Sequence, residues 1–465
     1  MPERSVEVYA FGEFQLDVHE RTLERRDTRQ RIVIPEKAFQ TLVHLVRNRG
    51  VLVAKEAILS AVWPDVFVED GNIGKMIHTL RGALGDRNGE CAYIETVPKH
   101  GYRFIADVAR IDANAPVTPR PSAILPGLSP AYDLYVRGKV KADSENVEDA
   151  DAAIALLETA VRVDPSCAEA YAQLARAYNT RAFKFTSHAE GKQFRENADV
   201  ALTKALDLDP QLAEAHFARG LILWTKSKGF PHEQAIKSFK KALALDPDAD
   251  ETHHQLSMVY SHVGLLDAAL AHVERAIELN PNNTMARFRV GTYAAWQCRF
   301  EDALAVLKTV PSDVSPFLVD RVSAEVYIQL GRLDKAAAIV DAYLAGHPND
   351  EGGSLTSVRG LLLATAGESG RAESAIARAI ELGAGFGHFH HTAYNIAAAY
   401  AALQKPDAAV AWLEATADDG FPCYPYFERD PNLDSLRRYP RFVELMSLLR
   451  KRWMRFTEAL SAAHT

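Results

Sequence analysis

The chain has 465 residues, 48% of them hydrophobic and 25% charged, with a formal net charge of −8. That balance excludes a disordered or collagen-like chain, and the negative charge excludes a uniformly basic nucleic-acid coat protein. Four widely separated cysteines (Cys91, Cys167, Cys298, Cys423) exclude a CxxC metal clamp and a dense disulfide framework, and no apolar run is long enough to span a membrane.

In chain order, Val6–Asp17, Arg21–Arg26 and Arg31–Ile34 alternate apolar and polar residues, which predicts the strands of a small antiparallel sheet. Three helical patterns follow, over Pro35–Asn48, Ala54–Val62 and Asp70–Leu84; the first opens on proline and ends near Gly50. Ala92–Val97 and Tyr102–Val108 read as two strands flanking Pro98-Lys99-His100-Gly101. Strands, three helices and a terminal hairpin are the order of a winged helix. Within Asp70–Leu84, Ile73, Ile77, Leu80 and Leu84 form one apolar stripe. The opposite face carries Gly71, Asn72, Lys75, His78, Thr79 and Gly82, which is small, polar and partly basic and suits approach to base edges in a major groove.

Asp112–Pro130 holds Pro116, Pro119, Pro121, Pro126 and Pro130 and reads as a semi-stiff linker. Charge divides here. Residues 1–111 carry 16 Lys+Arg and 16 Asp+Glu, whereas the remainder carries 37 against 45. A neutral first segment can approach a polyanion that the acidic remainder repels.

Beyond the linker the pattern is helical and repeats. The tetrads Val163-Asp164-Pro165-Ser166, Leu208-Asp209-Pro210-Gln211, Leu245-Asp246-Pro247-Asp248 and Leu279-Asn280-Pro281-Asn282 place their prolines 45, 37 and 34 residues apart. Each follows one helical pattern and precedes another, the signature of stacked helical hairpins. With Gly264-Leu265-Leu266-Asp267-Ala268-Ala269 and Gly331-Arg332-Leu333-Asp334-Lys335-Ala336-Ala337, the segment resembles the tetratricopeptide repeat over about Ala131–Asp430, in seven or eight units. Arg441–Leu460 reads as a closing helix that hides the last apolar face.

A second resemblance rests on Leu80-Arg81-Gly82-Ala83-Leu84-Gly85-Asp86, on Tyr93–Phe104 (YIETVPKHGYRF), and on Leu59 and Trp63 followed by Val68-Glu69-Asp70. These residues resemble the OmpR/PhoB-type winged-helix DNA-binding domain, across about Val6–Val108. The resemblance implies that the third helix lies in the major groove of double-stranded DNA and that the wing reaches the adjacent minor groove. It places Asn72, Lys75, His78 and Thr79 toward bases or nearby phosphates, Arg81 and Thr96 against the DNA backbone, and Lys99 with His100 at the wing tip. The wing arginine usual in that family falls at Pro98 here, which implies a low intrinsic affinity.

The expected architecture is an α+β winged helix-turn-helix over residues 1–111, a linker over 112–130, and an all-α tetratricopeptide-repeat solenoid over 131–465. The arrangement is similar to cytosolic transcriptional regulators of the HilA type, with no receiver domain ahead of the winged helix and no membrane helix after it. The repeat solenoid would bind a protein or peptide in its concave groove, or self-associate through Phe421-Pro422-Cys423-Tyr424-Pro425-Tyr426-Phe427. A different function class, a scaffold whose winged helix docks protein, differs in lacking salt-dependent affinity for duplex DNA. Met1–Ala10 lacks the apolar stretch of a secretory signal, so a cytoplasmic location is expected. His388-Phe389-His390-His391 has no supporting ligand nearby in sequence and reads as exposed or groove-lining histidines, and His253-His254 as a helix surface. No catalytic constellation, cofactor motif or metal motif is legible, and no enzyme is expected.

Overall fold

The computed structural model describes residues 7–18, 21–26, 31–32, 34–62, 71–85, 93–97, 101–111, 130–142, 146–186, 190–281, 283–310 and 316–461. The chain divides into two compact units, Met1–Leu125 and Pro126–Thr465. Most of the proline-rich stretch, residues 112–129, lies outside the described residues, as do Trp63 and Val68-Glu69-Asp70.

In the first unit, strands β1 (Val8–Phe11), β2 (Phe14–Asp17), β3 (Thr22–Arg25) and β4 (Arg31–Ile32) form an antiparallel meander. A fifth strand from the far end of the unit, β8 (Val108–Ile111), adds to β1, pairing Val8 with Ile111 and Phe11 with Val108. The sequence pattern stops the last strand at Val108 and does not show this pairing. Helices α1 (Glu36–Arg47), α2 (Lys55–Val62) and α3 (Gly71–Leu84) pack together on one core. The Lys37 ammonium donates to the Val62 carbonyl at 2.5 Å, placing a cation at the C-terminal end of α2, where the helix dipole favours one. A second sheet orders β5 (Leu52–Ala54), β7 (Gly101–Phe104) and β6 (Ile94–Val97).

Among its described residues the second unit is a run of eight helical hairpins: α4 (Pro130–Ala142) with α5 (Val147–Val163), α6 (Ala168–Lys184) with α7 (Lys192–Leu208), α8 (Ala213–Leu223) with α9 (His232–Leu245), α10 (Asp250–His262) with α11 (Leu266–Leu279), α12 (Thr284–Trp296) with α13 (Phe300–Leu307), α14 (Pro316–Gln329) with α15 (Leu333–Gly346), α16 (Ser354–Thr365) with α17 (Ser369–Leu382), and α18 (Phe389–Ala402) with α19 (Pro406–Asp418). A short α20 (Tyr424–Arg429) and a long α21 (Pro440–Ser461) follow. Three physical devices recur. The Asp of each Asp-Pro tetrad turns the chain by accepting the backbone N–H two residues on: Ser166 to Asp164 at 2.9 Å, Gln211 to Asp209 at 2.8 Å. A small residue lets the paired helices approach, as at Gly220, where a Cβ would lie 2.5 Å from Phe239, and at Gly291, where it would lie 2.9 Å from Leu307. The turn inside a hairpin needs a left-handed residue, which is glycine at Gly264, Gly331 and Gly367 but Cys298 and Gln404 in two hairpins.

The solenoid closes on itself. The Trp453 indole donates to the Gly264 carbonyl at 3.0 Å, the His232 ring bonds the Gly420 carbonyl at 3.0 Å, and Lys226 pairs with Asp419 at 3.0 Å. Phe421, Cys423 and Phe427 are fully buried and Tyr424 nearly so, packed against Trp296, Tyr394 and Trp453. The Phe421–Phe427 run is therefore core of its own unit and not an exposed self-association patch. An apolar run at the end of a curved solenoid satisfies itself against the face that curvature brings round. Likewise His254 and His390 are buried, correcting the surface reading of those two histidines, while His253, His388 and His391 are half-buried.

Candidate nucleic-acid interface

The stripe read from the sequence of α3 is its core contact: Ile73, Ile77, Leu80 and Leu84 are all at most 2% exposed. At about 100° per residue, Gly82 stands opposite that stripe, and a Cβ built there meets nothing within 4 Å. The helix therefore buries one side and, among the described residues, is open at Gly82 on the other. Thr79 is half-buried. The side chains of Asn72, Lys75 and His78, and all of residues 98–100 with Lys99 and His100, lie outside the described residues.

The wing is the β6–β7 hairpin, in the register Ile94 with Phe104, Glu95 with Arg103, Thr96 with Tyr102, and Val97 with Gly101. Arg103 and Glu95 form a cross-strand ion pair at 2.9 Å. Gly101 has φ +145°, and a Cβ there would lie 2.0 Å from the Val53 carbonyl oxygen, so the close approach of β7 to β5 admits only glycine. Beneath the wing, Phe11, Phe14, Tyr93 and Phe104 form an aromatic cluster with centroids 5.1–6.5 Å apart that ties the N-terminal sheet to the hairpin.

Arg81 is the link between the two presented elements. Its Nη2 donates to the Ile94 carbonyl at 2.7 Å and to the exposed Thr96 hydroxyl at 2.8 Å, and Nε reaches the same carbonyl at 3.3 Å. The guanidinium thus fixes the angle between the last turn of α3 and the first wing strand. The Leu-Arg motif marks this arginine in the sequence, but nothing in the sequence shows that its partners lie within the protein.

The arrangement is a helix and an adjacent hairpin held at one angle, with the helix open at Gly82 and Thr96 exposed on the neighbouring strand. Residues 29–104 match the family described as "Transcriptional regulatory protein, C terminal". Residues 145–181, 213–249 and 250–283 match tetratricopeptide-repeat families. The chain is 33% identical to the transcriptional regulator HilA of Salmonella typhimurium over 119 residues, which is 25% of this chain and 21% of that protein. It thus spans about a fifth of the length of the curated relatives it matches. Among solved structures, it is similar to the DNA-binding domain of E. coli CadC (22% identity, TM-score 0.21, covering 23% of this chain and 100% of that one). It is also similar to a thermophilic tetratricopeptide-repeat protein of Thermus thermophilus (28% identity, TM-score 0.30, covering 36% of this chain and 80% of that one). No described helix is long and apolar enough to cross a membrane. The chain therefore joins an OmpR/PhoB-type domain of the transcriptional regulatory protein family to a run of tetratricopeptide repeats.

Proposed function

We propose that this chain is a sequence-specific, DNA-binding transcriptional regulator. The α3 face around Gly82 enters the major groove and the wing follows the neighbouring minor groove. Asn72, Lys75, His78 and Thr79 then meet bases or adjacent phosphates, Thr96 and the Arg81 it holds sit at the DNA backbone, and Lys99 with His100 reach from the wing tip. Residues 1–111 do the binding, and the repeats of 131–465 engage a protein partner or a second copy of the chain. The observation that carries the reading is the Arg81 clamp: it presets two elements at one angle, which lowers the ordering cost of docking both at once. The match to a transcriptional regulatory family over the same residues supports it.

Binding should be modest and salt-dependent, because the unit is neutral and each phosphate contact releases condensed counterions. Replacing Lys75 and Lys99 by Ala should weaken duplex binding and make the slope of log K against log[salt] shallower by up to ~0.9 per lost contact. Anisotropy titrations of a labelled duplex at several salt concentrations measure both. An unchanged slope removes these two lysines from the interface.

A further inference from the structure

Closure of the solenoid brings His262, at the end of α10, to His388, His390 and His391 at the start of α18. One ring nitrogen from each of His262, His390 and His391 lies within 4.8 Å of the other two. His388 Nδ1 is 3.4 Å from His390 Nε2, close to the edge of a tetrahedron of nitrogens about 2.0–2.1 Å from a central zinc ion.

The outer nitrogens are already committed. His262 Nδ1 bonds the Met258 carbonyl at 2.8 Å, and His390 Nδ1 bonds the Asp419 carbonyl at 2.8 Å with the Asp419 carboxylate 3.6 Å away. A carbonyl accepts only from N–H, so both rings are the Nδ1–H tautomer when neutral and carry their lone pair on Nε2. The buried His262 Nε2 has no hydrogen-bond partner. An Nδ1–H held by a carbonyl with Nε2 left as donor atom is the outer-shell arrangement of metal-binding histidine. The walls are apolar: Trp224 lies 4.9 Å and Phe421 5.1 Å from the His262 ring, and Trp296 4.8 Å from Phe421.

From this geometry we infer that His262, His390 and His391, with His388 beside them, form a binding site for a borderline divalent transition metal of the zinc class, pinning the eighth hairpin to the fourth. Imidazole donors without thiolate or clustered carboxylate select zinc, cobalt, nickel or copper over magnesium and calcium. The inference does not depend on DNA binding.

The test uses the untagged full chain, stripped with chelator and titrated with Co²⁺ and then Zn²⁺. One Co²⁺ per chain should develop the intense visible bands of a four-coordinate ion, and Zn²⁺ should displace it and raise the melting temperature. His391→Asn, at a half-buried position, should lower Co²⁺ affinity at least tenfold, whereas His253→Asn, outside the cluster, should leave it unchanged. A wild-type titration without stoichiometric uptake, or with only the pale spectrum of a six-coordinate surface ion, overturns the site. So does equal affinity in both variants. Because the wild-type spectrum reports coordination by itself, a variant that fails to fold does not remove the test.

Discussion

Replacing Arg81 by Ala would remove the bonds to the Ile94 carbonyl and the Thr96 hydroxyl at once. Hydrogen bonds to a charged group are worth about 1.5–3 kcal/mol, and the half-exposed position argues for the lower end, on the order of 1.5 kcal/mol. Thermal or urea denaturation would measure that loss, and DNA affinity should fall with it, because the wing is no longer held to α3. Arg81→Lys keeps the charge but not the planar fork, and should recover only part of either. A different single residue offers a gain. Gln404 is exposed and sits at φ +56°, where other hairpins use glycine. Gln404→Gly should stabilise the repeat unit by about 0.5–1 kcal/mol, since ~1–2 kcal/mol of left-handed strain is relieved and part is offset by the freedom glycine adds to the unfolded chain. A lower denaturation midpoint would contradict this. Neither effect is legible in the sequence alone: an arginine that touches phosphate and one that clamps a wing have the same letter and spacing, and a turn tolerating glutamine looks like any exposed polar position.

At α3 the sequence is transparent, because four apolar residues at helical spacing can be satisfied only by a core, and all four are buried. The wing is nearly as clear, since Gly101 and its neighbours mark a close strand approach. Elements that depend on distant partners are not. Strand β8 is four residues beside a proline-rich stretch, and its partner β1 lies at the other end of the unit. The Phe421–Phe427 run and the histidines at the start of α18 have apolar and polar patterns that fit a surface as well as a core. What decides them is the curvature that carries α18 and α20 back to α10, α12 and α14, which no local period encodes. Asp430 shows the consequence. It is fully buried and accepts from Tyr394, from Gln329 Nε2 at 2.5 Å and from the Asn432 backbone at 2.8 Å, joining α14, α18 and the chain beyond α20. Burial raises its carboxyl above the usual range. Asp430→Ala would strand the Tyr394 hydroxyl and the Gln329 amide, at about 1–3 kcal/mol for each group left unpaired, and should lower the urea midpoint of the repeats sharply. Retention of the wild-type midpoint would mean that the network contributes little to closure.

The repeat unit should lose stability in acid. Burial lowers His232 to about 4 and His254 to about 3, from an ordinary 6.5. Above pH 6.5 both are neutral whether the chain is folded or not, and their contribution is fully present. As pH falls from 6.5 toward 4 the unfolded chain binds protons that the folded chain refuses, so stability falls by up to ~1.4 kcal/mol per pH unit per histidine. Four of the five tryptophans, Trp224, Trp296, Trp412 and Trp453, lie in the repeat unit, and Trp63→Phe leaves tryptophan fluorescence in urea to follow that unit alone. His254→Leu should flatten the pH dependence by one proton; an unchanged slope would place the acid sensitivity elsewhere. For the proposed role as a regulator, the decisive comparison is duplex-DNA binding by the full chain and by Gly82→Glu. A Cβ at Gly82 meets nothing within 4 Å among the described residues, and replacing glycine improves helix propensity by up to ~1 kcal/mol, so the variant should melt no lower than the parent. It also sets a negative charge on the face assigned to the major groove. Anisotropy with a labelled duplex at low salt should then show salt-sensitive binding by the parent and an affinity at least tenfold weaker for the variant. Equal affinity in a variant of undiminished melting temperature would contradict the assignment of α3 as the DNA-reading helix.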